Sequence, residues 1–354
     1  MFRLAKPHII RVLACLLYYG GLLRLYQSFA RKPFAVILNY HRILSPEERE
    51  YRLLPAMYVF PKTFEKHLRY LARNYQVVTM QQLMKERSSQ RANARPLCVI
   101  TFDDGWSDNY HYALPLLRKY GMPATLFIST EFIDSDRVPW FYDLLRSLHF
   151  LSDCLEQGTA DVEALRVNGL PESIVTWAGL PDDQRLQAIE RVIEALKLLP
   201  VSGLEDLVDR LSKATQHLSG HLRGGQPAML TWDNVREMRK NGFEIGSHGV
   251  THWILTRISG AQLEHEIWQS KQSIENELKE LIQGFSYPNG DYSDHVIDLL
   301  QKAGYKYACT IKPGYVGRQS SPFKLNRLLL HNENTYTTPL FACHMAGLFN
   351  RGRE

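Results

Sequence analysis

Thr101-Phe102-Asp103-Asp104-Gly105 places two adjacent carboxylates at the end of an apolar run. Desolvating both is costly unless a cation or a reacting proton occupies the site. Neighbours in an extended chain point in opposite directions, so one carboxylate can hold a metal while the other faces a substrate. The competing reading is a helix N-terminus, where acidic side chains meet the positive end of the helix dipole. A second cluster, Ser247-His248-Gly249-Val250-Thr251-His252, weakens that alternative. Two histidines four residues apart can lie on one face of a helical turn and ligate one ion. With Asp104 they make a two-histidine, one-carboxylate set that leaves positions open for water and substrate. Alone, such a histidine pair is commonly two solvated side chains; beside the acidic cluster it points to a metal site. Asn39-Tyr40-His41-Arg42 and Tyr287-Pro288-Asn289-Gly290 add two further polar clusters.

Something must hold these four clusters together. Short, apolar, β-branched runs at 35–40, 97–102, 124–128, 243–247, 284–287 and 306–311 read as strands, with a further one at 324–330. Their unbroken apolar character fits strands buried on both faces of a parallel sheet. Helical patterns lie between them at 62–73, 110–120, 233–241, 261–280 and 293–303, three of them stopped by Gly121, Gly242 and Gly304. The alternation predicts an α/β fold: a distorted, incomplete (β/α) barrel of about seven parallel strands. An open doubly wound sheet is the alternative. All four clusters then fall at the C-terminal ends of strands, the rim where barrel enzymes place their active sites.

Residues 134–226 contain no convincing strand and form a helical insertion, a lid or a subdomain. Leu186, Ile189, Val192, Ile193 and Leu196 recur at helical spacing after Asp182, a candidate cap. Ser202 and Glu205 suggest a capping box for a second helix over 203–218. A glycine-rich stretch at 219–227 would return the chain to the barrel. The expected organisation is an N-terminal segment (1–33), a barrel (34–133 and 227–340) interrupted by the insertion, and a C-terminal tail (341–354).

TFDDG, SHGVTH and FSYPNG, in this order, resemble the first three motifs of the polysaccharide deacetylases, the NodB-homology domains of carbohydrate esterase family four. The likeness covers roughly residues 35–330. NYHRI and FSYPNG are most similar to the bacterial branch acting on surface-glycan amino sugars. The resemblance implies a β/α barrel that uses a divalent metal, usually zinc, to hydrolyse N-acetyl groups from sugars. Asp103 then matches the catalytic base, Asp104 the metal-binding aspartate, and His248 and His252 the metal-binding histidines. Asn289, preceded by Pro288, takes the place whose backbone N–H helps form the oxyanion hole, and Tyr287 would line the pocket. An acid must also protonate the departing amine. Leu328-Leu329-Leu330-His331 resembles the family's last motif, yet 307–312 lacks the carboxylate that should orient that histidine, so His41 is an equal candidate. Ser286 stands where many members carry an arginine that positions the base, and Gly249 replaces a usual Ser or Thr. Trp140, opening the insertion, would either stack on a sugar ring or pack the lid.

The chain carries 42 Lys+Arg against 37 Asp+Glu. Seven of the basic residues lie in 1–46, which has no acidic residue, while the remainder is near neutral. That balance argues against a nucleic-acid partner, and the resemblance implies an N-acetylated sugar as the partner instead. The apolar run 12–23, flanked by Arg11 and Arg24, is shorter than the roughly 20 residues of a membrane span. Residues 28–31 make a poor signal-cleavage site. A cleaved signal and an exported form therefore rank behind two readings: a helix in the membrane interface with its cations on anionic head groups, or a helix packed on the body. Five scattered cysteines without a CxxC pair favour a reducing compartment, hence the cytoplasm or the cytoplasmic face of the inner membrane. The expected activity is metal-dependent N-deacetylation of an amino sugar in a glycan, glycolipid or nucleotide-sugar precursor. An O-acetyl esterase and a catalytically silent glycan-binding or assembly module are the alternatives.

Overall fold

A computed structural model describes residues 2–29, 34–46, 54–88, 95–159, 170–214 and 228–348. Contacts divide the chain into two compact units, one of 1–46, 55–134 and 229–354, the other of 47–54 and 135–228.

The first unit holds ten strands: β1 (Ala35–Tyr40), β2 (Arg42–Ile43), β3 (Tyr58–Val59), β4 (Gln76–Val77), β5 (Leu97–Phe102), β6 (Ala124–Ile128), β7 (Phe243–Ser247), β8 (Gly284–Ser286), β9 (Tyr307–Cys309) and β10 (Leu328–Leu329). Seven of them run parallel in the order β10-β1-β5-β6-β7-β8-β9 and curl into a half-barrel, with β4 added beside the start of β5. Strands β1, β5 and β6 are buried throughout, as their unbroken apolar runs require. The run expected at 324–330 yields only two residues of strand. Residues on either side of β10 continue the link between the ends of the sheet: before it Leu325 pairs with Cys309, and after it Leu330 N–H donates to Asn39 O at 3.0 Å.

The five helices expected around the barrel are present at Pro61–Asn74, Leu114–Tyr120, Trp232–Lys240, Gly260–Leu278 and Asp294–Lys302. Local chemistry sets their ends. Thr231 and Asn234 form a reciprocal capping box, and Ser293 Oγ accepts from Val296 N–H at 3.2 Å. Gly121 closes Leu114–Tyr120 at φ 59°. A π-helical turn, Asn109–Ala113, leads into that helix. Two helices, Phe2–Tyr19 and Leu22–Phe29, precede the barrel, and the first packs on Thr338–Met345.

The second unit is built from helices Trp140–Glu156, Glu172–Ala178, Asp182–Leu196 and Val201–Ala214 around Leu148, Trp177, Ile189, Val192 and Leu207. Arg185 is buried within it, donating to Ser152 Oγ at 3.1 Å and Leu180 O at 2.9 Å. Its caps differ from expectation. Asp182 is the first helical residue behind Pro181, and Ser202 lies inside a helix that begins at Val201. The return segment 219–227, the Leu186 side chain, and Ala30, Arg31 and Lys32 lie outside the described residues.

Candidate active site

Strand β5 delivers Asp103 and Asp104 to the barrel rim. Asp103 N–H donates to Tyr40 O at 3.1 Å, continuing the β1–β5 ladder one residue past the strand. The chain then turns through left-handed Asp104 (φ 79°) and Gly105 (φ 101°), so the two carboxylates leave the strand in different directions. Trp106 Nε1–H donates to Asp104 Oδ2 at 2.8 Å. Arg42 lies over the Trp106 ring at 4.4 Å and is itself fixed by a fully buried pair with Asp108 at 2.8 Å.

Strand β7 delivers the histidines, though on a loop rather than the helical turn their spacing suggested. The backbone reverses at Gly249 (φ 85°) and His252 (φ 62°). Glu266, buried on the helix Gly260–Leu278, shapes this loop by accepting from Val250 N–H at 2.7 Å, from Thr251 N–H and from the Thr251 hydroxyl. A Cβ on Gly249 would lie 2.7 Å from Glu266 Oε2. The carboxylate therefore accounts for glycine at this position.

Asp104, His248 and His252 converge, with one ligand atom from each lying within 4.8 Å of the others. Asp104 Oδ1 is 3.4 Å from His248 Nε2 and 3.3 Å from His252 Nε2. It is fully buried and makes no hydrogen bond. His248 Nδ1–H donates to Ser286 O at 2.7 Å, which leaves the Nε2 lone pair facing the carboxylate oxygen. Acceptors buried face to face repel unless a cation stands between them, so these three residues fit a divalent metal. Burial opposes ionisation of Asp104, but the imidazoles of His248 and His252 beside it, and His41 further off, favour the charged form and hold its carboxyl well below the ordinary range.

Asp103 is held differently. Arg327, completely buried, grips it with both arms of the guanidinium: Nη1 to Oδ1 at 2.8 Å and Nη2 to Oδ2 at 2.6 Å. The same side chain donates to Thr310 O at 2.9 Å, Ser286 Oγ at 2.9 Å and Thr101 Oγ1 at 3.1 Å. Burial pushes the Asp103 carboxyl up; Arg327, then His248 and His41, outweigh it and keep it below its usual value. The small Ser286 thus stands beside a base-holding arginine that arrives from another part of the chain. Sequence reasoning missed Arg327. The available signal was a cation directly before the apolar Leu328-Leu329-Leu330, since a charge buried with such a run needs a partner.

The two acid candidates follow neighbouring parallel strands, His41 after β1 and His331 after β10. Asn39 pairs with Thr101, so two residues later His41 comes level with Asp103, and both aspartates register its charge. His331 precedes the short helix Asn332–Thr335, its N–H donating to Asn334 Oδ1 at 3.1 Å. Burial lowers the His331 pKa to about 4, and its charge bears on His344. Tyr287 is fully buried and donates its hydroxyl to Phe323 O at 3.0 Å, so it packs beneath the rim instead of lining a pocket. Pro288, also buried, begins a turn in which Asn289 adopts φ 59°. Trp140 lies in the second unit, buried against Phe141. His67 and His149 are buried, and His217 and His221 lie outside the described residues.

The fold and the paired clusters define a class: a half-barrel hydrolase with an Asp/His/His centre beside a buried aspartate. A sequence model of the polysaccharide deacetylase family matches residues 90–165 and 200–308. The chain belongs to that family, hydrolases acting on the amide bonds of acetylated sugars. YxkH of Bacillus subtilis (strain 168), named for the same family, is 22% identical over 293 residues, 82% of this chain and 70% of the relative. A peptidoglycan-N-acetylglucosamine deacetylase of Bacillus cereus is 27% identical over 136 residues, 38% of this chain and 61% of the relative. Among solved structures, the Streptococcus pyogenes deacetylase PplD in complex with acetate aligns with a TM-score of 0.55 at 20% identity, covering 88% of this chain and 99% of its own. IcaB from Ammonifex degensii aligns with a TM-score of 0.55 at 15% identity, covering 89% and 98%. These two likenesses are of fold.

Proposed function

We propose that this protein is a metal-dependent N-deacetylase of an amino sugar within a cell-envelope glycan. The observation that carries the reading is Asp104 Oδ1, buried without a hydrogen bond between the Nε2 atoms of two histidines. Two imidazoles and a carboxylate suit zinc with positions left open. A divalent ion there would polarise the acetyl carbonyl and lower the pKa of a water towards about 7.

The protein's own groups do the rest. Asp103 accepts the proton of the attacking water; its two oxygens keep lone pairs available although both are engaged by Arg327. Arg327 fixes the plane of that carboxylate and keeps it ionised. The Asn289 N–H, on its left-handed turn, donates to the oxygen that gains charge as the carbonyl becomes tetrahedral. His41, on the rim beside Asp103, returns a proton to the departing amine, because an amide anion leaves poorly.

The test is to assay free amine and acetate from a panel of N-acetylated oligosaccharides, nucleotide-sugars and glycolipids, with zinc added and after chelation. The expected result is release of both products, abolished by chelator. Acetate without amine would replace the reading with an O-acetyl esterase. No release from metal-loaded protein across the panel would contradict it.

A further inference from the structure

Fourteen large hydrophobic side chains are exposed among the described residues, and ten of them lie on the two N-terminal helices. On Phe2–Tyr19 they are Ile9, Ile10, Val12, Leu13, Leu16 and Tyr19; on Leu22–Phe29 they are Leu22, Leu25, Tyr26 and Phe29. Each set recurs every three or four residues, so each helix turns an apolar stripe to solvent. Leu16 is 63%, Tyr19 75% and Phe29 84% exposed. The opposite side of the first helix, with buried Ala14, packs on Thr338–Met345. Packing on the body therefore uses one face and leaves another bare.

No single helix among the described residues is long and apolar enough to cross a membrane, and the two helices bend by 73° at their break. Beside them lies a cleft of about 510 Å³, between Leu22–Phe29 and Pro61–Asn74. Arg24, Lys66, Arg69 and Arg73 line it together with Tyr18 and Gln27, and no acidic residue does. Lys66 donates to Tyr336 O at 3.1 Å, and Arg69 pairs with Glu65 at 3.0 Å. Arg24 and Arg73 make no ion pair among the described residues.

We infer that the two N-terminal helices and this cleft form a docking surface for a bilayer rich in anionic phospholipid, the apolar stripes entering the interface and the cleft taking a phosphate head group. Charge complementarity selects this occupant. Residues 1–33 hold six cations and no anion, so the apolar stripes are flanked in sequence by one sign of charge only. A second copy of the chain would bring the same cations against these.

The experiment is co-sedimentation of the full chain with vesicles of equal phosphatidylglycerol and phosphatidylcholine, and with phosphatidylcholine alone. Two double variants accompany it, Leu16→Glu with Phe29→Glu and Arg24→Glu with Arg73→Glu. All four positions are exposed, and circular dichroism melts check that the fold is kept. The wild type is expected to prefer the anionic vesicles, and each variant to lose affinity for them by about tenfold or more. Equal binding to the two vesicle types overturns the inference, as does unchanged binding of either variant. Dimerisation through the stripes with no vesicle binding overturns it in favour of a second copy.

Discussion

At the residue scale, two neighbouring aspartates differ in what each side chain touches. Asp104 faces imidazole nitrogens, and Asp103 faces a guanidinium. The division was legible in the sequence for Asp103, Asp104, His248 and His252, because adjacent buried carboxylates and a histidine pair both demand a partner. Arg327 was not, since its pairing depends on how the segment before β10 lies against β5. Substituting Arg327→Lys keeps the charge but loses the two-armed grip. The expected result is a fall in kcat of about a hundredfold with metal content unchanged, measured by amine release and metal analysis. A kcat equal to wild type would show that Arg327 only fills space. The histidines give a sharper contrast. His41→Ala is expected to slow turnover by about 10²–10⁴-fold, and His331→Ala to leave it within a few fold. The reverse ranking in steady-state kinetics would return the acid role to His331.

At the scale of elements, loops do what spacing alone suggested a helix would do. His248 and His252 meet Asp104 because Gly249 and His252 take left-handed conformations and Glu266 ties the intervening N–H groups. The four-residue spacing was legible; the means was not, because helices and tight loops can both bring such residues together. The Gly249 departure becomes intelligible only with Glu266 in view, one acidic residue among several on its helix. Gly249→Ala meets both the carboxylate and the positive φ, so metal affinity is expected to fall by about 10–100-fold. Competition with a chromogenic chelator measures it, and unchanged affinity would separate the loop's shape from the centre. The barrel strands and five flanking helices were read closely, since buried parallel strands leave continuous apolar runs. The stretch before β10 was over-read as strand because an apolar run does not reveal where ladder pairing stops.

Across the whole molecule, buried histidines couple the C-terminal region to pH. His67, on Pro61–Asn74, stands between the Tyr40 hydroxyl (3.0 Å) and Thr335 O (2.9 Å), and it stacks on Phe341 at 4.0 Å. That arrangement fits the neutral ring, with Nε2–H donating to Thr335 and Nδ1 accepting from Tyr40. Burial lowers its pKa to about 3, and burial likewise lowers His331 and His344 to about 4. Unfolded histidines titrate near 6.5, so below that pH the unfolded chain binds protons that the folded chain refuses. Stability is thus complete above about 6.5 and is lost progressively as pH falls towards the folded values. His67 alone contributes a loss of roughly 2 kcal/mol between pH 7 and pH 5. Urea denaturation at the two pH values measures it; His67→Gln is expected to be less stable at pH 7 but to show a shallower pH slope. An identical slope in wild type and variant would contradict the assignment.

The central claim is that Asp104, His248 and His252 hold a metal while Asp103 removes the proton. Metal content and amine release measured together on Asp103→Asn test it most directly. The account predicts metal bound as in the wild type and turnover reduced by at least about a hundredfold. Turnover near the wild-type rate would contradict Asp103 as the base, and loss of metal from this variant would contradict the separation of the two aspartates.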